Sequence, residues 1–392
     1  MRARLRFLIS IIVIFSFAQM TSGKDSLCVK RLCHDLELAV SGGYNLPSHG
    51  FYVGHNPTGK PLYANSSLHL KYGFGFQPHT YKGNLYPNTI QGIGVAATTF
   101  YNHSLMGTPV FAYIFQKGSI WEFSELLGLD YNFEFGGSYG WKHNAIISTD
   151  ANIYVNVGLM LSVDFNKFLT LTLGPEFSHC SNGDTSFPNG GTNVVNFRLG
   201  MTGHVEPLNG ESDRTAAREY CSVLKEESFA QRMIYDLVIY GGWRAAKVSN
   251  CSYAPINEPF PFFAVNFIPM YRINHYFSAG ASLDLLMDRS SDIYDVIVDP
   301  LTDEVISYQQ PGLLEQTAAG LSLKGDITFP IFTVGAGVGG FLLTNSNSLR
   351  GIYTTFSLKA FVSKRLFLSA NYRLSTKNFT HNMMYGLGWR FN

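Results

Sequence analysis

The feature that most constrains this chain is an alternation of apolar and polar side chains sustained for ten or more residues at a time. In Asp150–Asp164 the odd positions are Ala151, Ile153, Val155, Val157, Leu159, Leu161 and Val163, and the even ones include Asn152, Asn156, Gly158, Ser162 and Asp164. Near the end of the chain Met383, Tyr385, Leu387, Trp389 and Phe391 alternate with Asn382, Gly386, Gly388 and Arg390. Ile352–Val362 repeats the pattern. Successive strand side chains point to opposite faces, so period two means strands with one apolar face. The chain is 46% hydrophobic and 15% aromatic but only 15% charged, where a soluble domain carries about 25% charged residues. Beyond the N-terminal leader, those apolar residues never form a helix-length run. A transmembrane antiparallel β-barrel meets both conditions, with lipid-facing and lumen-facing residues alternating along about sixteen strands. A soluble antiparallel sandwich also alternates, but the length of the strands and the aromatics clustered near their ends favour the barrel.

The N-terminus agrees. Arg2, Arg4 and Arg6 precede an apolar run from Phe7 to about Ala18, and Thr21, Ser22 and Gly23 offer a cleavage site. That is the layout of a secretory signal peptide, expected to occupy 1–23. The run is too short for a spanning helix, which needs about 20 apolar residues. Export together with a barrel places the chain in the bacterial outer membrane. The net charge of +1 gives no reason to expect a nucleic-acid partner. Of the five cysteines, Cys28 and Cys33 could bridge, and no close His/Cys partner pair turns them into a metal site. The charged stretch 206–231 lacks alternation and divides the chain into halves, 24–205 and 232–392. Asp213 to Met233 could form a short helix there. One large barrel is the expected closure, because a closed sheet leaves no edges. Tight turns such as Asp164–Lys167 should face the periplasm. The longer polar segments around 77–88, 181–191, 290–312 and 345–350 should form external loops.

One segment carries candidate chemistry. Leu169, Leu171, Leu173 and Phe177 share parity with His179 and Ser181, and Val195, Phe197, Leu199 and Met201 share parity with Asn193. If the apolar face meets lipid, His179, Ser181 and Asn193 point to lipid as well. Polar groups on such a wall need a reason. Two residues apart on one face, His179 is placed to take a proton from Ser181, and Asn193 on the next strand to hold the other imidazole nitrogen. The backbone at Asn182 and Gly183 could donate to an oxyanion. The strand ending at Ser181 should be about the seventh, which brings this group to the outer leaflet. Cys180 has the opposite parity and should face the lumen.

The stretch Gly174–Gly200 resembles the motif of the outer-membrane lipid A 3-O-deacylase (PagL-like) or acyloxyacyl hydrolase family, His-x-Ser-Asn-Gly followed by Pro-Asn-x-Gly-x-(Glu or Asn). His179, Ser181, Asn182, Gly183, Pro188, Asn189 and Gly191 match it. A looser resemblance runs back through Gly92-Ile-Gly and Gly107-Thr-Pro to about residue 30. The chain looks like the longer, two-part Bacteroidetes type, whose second part begins here at Tyr235-Asp-Leu-Val-Ile-Tyr-Gly. The resemblance implies an outer-membrane esterase that needs no cofactor. It would cleave an ester-linked acyl chain from lipid A, the lipid anchor of lipopolysaccharide, with His179 as base and Ser181 as nucleophile. At the third position Asn193 stands where the characterised deacylases carry Glu. Asn there is similar to the calcium-dependent outer-membrane phospholipase A, so a phospholipid substrate is the alternative. A non-enzymatic pore or structural barrel is the other.

Overall fold

The structure is a computed structural model. It describes residues 32–206, 228–247, 255–299, 301–302, 304–376 and 381–391. The leader and most of the segment in which a helix was expected lie outside these residues, as does Cys28. Near the end of that segment, Phe229–Arg232 forms one helical turn.

The strands close into two barrels of eight, not one of sixteen. The first barrel comprises β1 (Leu32–Asn45), β2 (Ala64–Phe76), β3 (Thr89–Thr99), β4 (Gly107–Glu122), β5 (Leu127–Trp141), β6 (Ala151–Asn166), β7 (Leu169–Ser181) and β8 (Thr192–Glu206). Neighbours run antiparallel, and β8 returns to pair with β1, for example Leu38 with Met201. The second barrel comprises β9 (Met233–Lys247), β10 (Pro255–Arg272), β11 (Phe277–Asp288), β14 (Thr317–Thr328), β15 (Phe332–Thr344), β16 (Ile352–Phe361), β17 (Leu366–Ser375) and β18 (His381–Phe391), and β18 closes it on β9. Between β11 and β14 a hairpin, β12 (Tyr294–Val298) with β13 (Val305–Gln309), stands apart from the barrel wall.

The total of about sixteen wall strands holds, while the expected single closure is overturned. Freedom from edges does not discriminate between the two arrangements, because each ring of eight also has none. What decides is reach across the lumen. Lys71 Nζ on β2 meets Glu37 on β1 at 3.1 Å and Glu134 on β5 at 2.8 Å. The Arg198 guanidinium on β8 pairs with Glu176 at 2.8 Å and with Glu134. An eight-stranded barrel has an interior just wide enough for side chains to fill, and only at that width do charges on such distant strands touch. In the second barrel Lys359 Nζ sits between Asp236 at 3.0 Å and Asp326 at 2.7 Å. Aromatic rings of Phe111, Tyr113, Phe115, Trp141 and Tyr154 fill more of the first lumen.

The outer faces are apolar. Leu36, Leu38 and Val40 on β1, Leu68 and Leu70 on β2, and Leu159 and Leu161 on β6 are all exposed. No helix among the described residues is long and apolar enough to cross a membrane, and the strands supply the spanning elements. Closed rings with an apolar belt outside and charges inside are what the bilayer requires, and the chain is an outer-membrane protein.

With the start of β1 on the periplasmic side, the connections 46–63, 100–106, 142–150 and 182–191 are external. The segment 77–88, expected outside from its polarity, is at the periplasmic end. Its helical turn α1 (Tyr81–Leu85) and the residues flanking it pack against the second barrel: Tyr276 donates from its hydroxyl to Leu85 O at 2.6 Å, and Lys82 Nζ donates to Pro330 O at 3.1 Å. Polar loop composition reported exposure to water but not which side the water was on. Cys33 is a buried thiol; its possible bridge to Cys28 involves a residue outside the described ones.

Candidate active site

The alternation along β7 places the site. Leu173 and Phe177 are 52% and 39% exposed, whereas Glu176 between them is 4% exposed and points into the lumen. Parity persists to the end of the strand, so His179 and Ser181 emerge on the lipid side, both half-buried. Asn193 follows from the pairing of β7 with β8, in which His179 and Asn193 are direct partners. Cross-strand partners have Cβ atoms about 5 Å apart, within reach of an imidazole and a carboxamide.

The three side chains form a continuous relay. His179 Nε2 lies 2.9 Å from Ser181 Oγ, and His179 Nδ1 lies 2.8 Å from Asn193 Oδ1. Because Asn193 Oδ1 only accepts, Nδ1 carries the proton and Nε2 is left as the acceptor for the Ser181 hydroxyl. Cys180, between the two, turns inward and is buried beside Tyr154 and Val194, where it cannot reach a lipid.

The connection 182–191 beyond Ser181 is rigidly bonded. Asn182 donates its backbone N–H to Asn189 Oδ1 at 3.0 Å, and Asn189 Nδ2 donates to Asp184 at 2.8 Å. Of the two backbone donors expected to face an oxyanion, that of Asn182 is therefore already engaged, which leaves Gly183 as the candidate. Gly190 and Gly191 N–H both donate to Ile146 O, and the buried Tyr52 hydroxyl donates to Gly191 O at 3.0 Å. Neither Ile146 nor Tyr52 was singled out in the sequence, because both act from other loops across long separations. Asn189 lay within the motif, but nothing in the pattern indicated that it would hold Asn182.

Gly191 sits at φ +62°, and a Cβ there would fall 2.6 Å from Cys180 O and 3.4 Å from His179 Cε1. Left-handed backbone costs a non-glycine residue about 1–2 kcal/mol, and the close approach to Cys180 O adds to that. Gly191→Ala should therefore lower turnover by displacing the strand that carries His179. It should still migrate as a folded, heat-modifiable barrel on gels. Wild-type turnover in this variant would show that the close approach is unnecessary.

Residues 233–392 match the family described as acyloxyacyl hydrolase, C-terminal domain. The second barrel is thus similar to acyloxyacyl hydrolase C-terminal domains. The matched span coincides with β9–β18, so it and the His179–Ser181 pair lie in different barrels of the same chain. No curated protein matches the chain. Among solved structures, a KdgM porin in complex with disordered oligogalacturonate is 9% identical, with 72% of this chain and 92% of that one covered and a TM-score of 0.18. Omp33 of Acinetobacter baumannii is 8% identical over 92% of this chain and 99% of that one, with a TM-score of 0.17. The translocator domain of the autotransporter NalP from Neisseria meningitidis is 7% identical over 100% and 96%, with a TM-score of 0.19.

Proposed function

We propose that this chain is an outer-membrane serine esterase that removes an ester-linked acyl chain from lipid A or a related lipid of the outer leaflet. The observation that carries the reading is the relay Asn193–His179–Ser181, bonded at 2.8 and 2.9 Å on the lipid-facing side of the external end of β7. His179 Nε2 takes the Ser181 proton as Oγ attacks the ester carbonyl. The tetrahedral oxyanion is met by the Gly183 N–H. The protonated imidazole then delivers its proton to the leaving sugar or glycerol oxygen. Water repeats the sequence on the acyl-enzyme and frees the fatty acid. The similarity of the second barrel to acyloxyacyl hydrolase C-terminal domains supports hydrolysis of this bond type. The packed interior of the first barrel argues against a pore there: the cavity lined by His69, Trp141, Tyr154 and Glu176 holds about 20 Å³, about the space of one water.

Mass spectrometry of lipid A from cells with and without the protein tests the proposal. Loss of one acyl mass should require the protein and an intact Ser181. Unchanged lipid A would defeat the lipid A reading.

Asn193 bears on the substrate class. A carboxamide orients the imidazole but stabilises imidazolium less than a carboxylate would. Asn193→Glu should retain or raise activity on lipid A if the site works as the deacylases do. If phospholipid is the substrate, the same change should impair turnover of phospholipid. Paired assays on both lipids separate the two.

A further inference from the structure

The connection that follows Ser181 is held by both barrels. From its own barrel come the bonds to Ile146 and Tyr52 described above. From the other, Asn257 grips the backbone of one residue, Phe187, at both its N–H and its C=O. Its Oδ1 accepts from Phe187 N–H at 2.7 Å, and its Nδ2 donates to Phe187 O at 2.9 Å. Ala245 N–H of β9 donates to Asp184 O at 2.8 Å. At Gly183 an added Cβ would lie 2.8 Å from Met383 Cβ of β18 and 3.3 Å from Ile153 Cδ1. Ile153 is the cross-strand partner of Ser181. The second barrel therefore touches this connection at three points within six residues of the nucleophile.

The local sequence explains why Asn257 is available. The pairing of β10 with β9 jumps between Ile256 and Phe260, opposite Ala246 and Arg244. Asn257, Glu258 and Pro259 are thereby excluded from the ladder, and Pro259 has no N–H to offer it. Such a bulge redirects a side chain out of the sheet. β10 has 18 residues, whereas a bilayer needs about 9–11 per strand, so its first residues stand clear of the lipid. The bulge is braced from beyond: Tyr308 in the β12–β13 hairpin donates to Glu258 Oε2 at 2.6 Å and packs edge-on against Phe260. The hydrogen bond to Glu258 pushes the Tyr308 phenol up to about 12.

We infer that Asn257 is a positioning residue for the site on the first barrel, and that the second barrel serves as the scaffold that fixes the connection following Ser181. The inference rests on the esterase reading for its catalytic part. The bonds to Phe187 and Asp184 restrain the stretch that leads back through Gly183 to Ser181. Reacting groups misplaced by about 1 Å can lose on the order of a hundredfold in rate, so a restraint outside the relay has leverage on it.

The test uses the full chain folded in detergent and three proteins: wild type, Asn257→Ala and Asn257→Asp. The aspartate keeps the acceptor for Phe187 N–H and loses the donor to Phe187 O. Two measurements are made, steady-state hydrolysis of lipid A and hydrogen exchange of the peptide covering 182–191. Asn257→Ala should lower kcat about tenfold or more, with KM within about twofold, and should speed exchange at Phe187. Asn257→Asp should recover part of both. Unchanged exchange in Asn257→Ala would overturn the inference, because the connection would then be held by its own barrel alone. Faster exchange with unchanged kcat would overturn it too, leaving a passive contact. An inactive wild type would instead sink the proposed function. Exchange would then still decide whether the second barrel restrains the connection, faster exchange supporting this and unchanged exchange refuting it.

Discussion

Ser181→Ala is expected to reduce ester hydrolysis by about a thousandfold or more, and His179→Ala by a similar factor. Losses of this size follow when a nucleophile or its base is removed, because the covalent step has no substitute. Assembly should be unaffected. Both side chains project from the outer face of β7 and are only half-buried, and neither takes part in the lumen packing. Asn193→Ala should cost less than either, since an orienting group can be replaced in part by water. Cys180→Ser should stay active, because that side chain points into the barrel. The measurement is fatty-acid release from lipid A in detergent micelles, with band-shift electrophoresis as the control for folding. Wild-type turnover in Ser181→Ala would remove the catalytic claim and leave a barrel of other purpose.

The relay was legible because period two is strict. Once Leu169, Leu171, Leu173 and Phe177 fix the lipid face, the direction of His179 and Ser181 follows without further information. Asn193 needed one more step, the assumption that β8 pairs with β7 through a short connection, and its register brings it opposite His179. The residues that hold the connection were not legible for the converse reason. Tyr52 and Ile146 arrive from two other loops and Asn257 from the bulge in β10, and no local pattern marks a residue that acts across 44 to 139 positions. The choice between one barrel and two failed in the same way. Which strand β8 returns to is a pairing between Leu36–Asn45 and Val194–Gly203, and both β1 and β9 offer it an apolar outer face. The clue lay on the lumen side. Glu37, Lys71, Lys117, Glu134, Glu176 and Arg198 all have inward parity, and so many opposite charges facing inward suit a narrow barrel in which they can meet.

That reasoning makes Arg198 a test of why the first barrel closes as it does. The side chain is 2% exposed and lies between Glu134 on β5 and Glu176 on β7. Lys71 also serves Glu134, at 2.8 Å, but among the described residues Glu176 has only Asn156 Nδ2, at 3.1 Å, as a further donor. Arg198→Met keeps much of the volume and removes the charge, leaving Glu176 buried without a cation. Breaking a buried pair by removing one partner costs about 3–5 kcal/mol, because the remaining charge is not hydrated. The urea midpoint and the band-shift temperature should both fall clearly. Arg198→Met combined with Glu176→Gln should regain much of the loss, since the orphaned carboxylate is then gone and the amide can still accept from Asn156. The relay lies on the opposite face of the same two strands, so the folded fraction of each variant should keep its turnover. An unchanged midpoint in Arg198→Met would mean that the charges are hydrated, that the lumen is wider than these contacts imply, and that the argument from reach across eight strands fails.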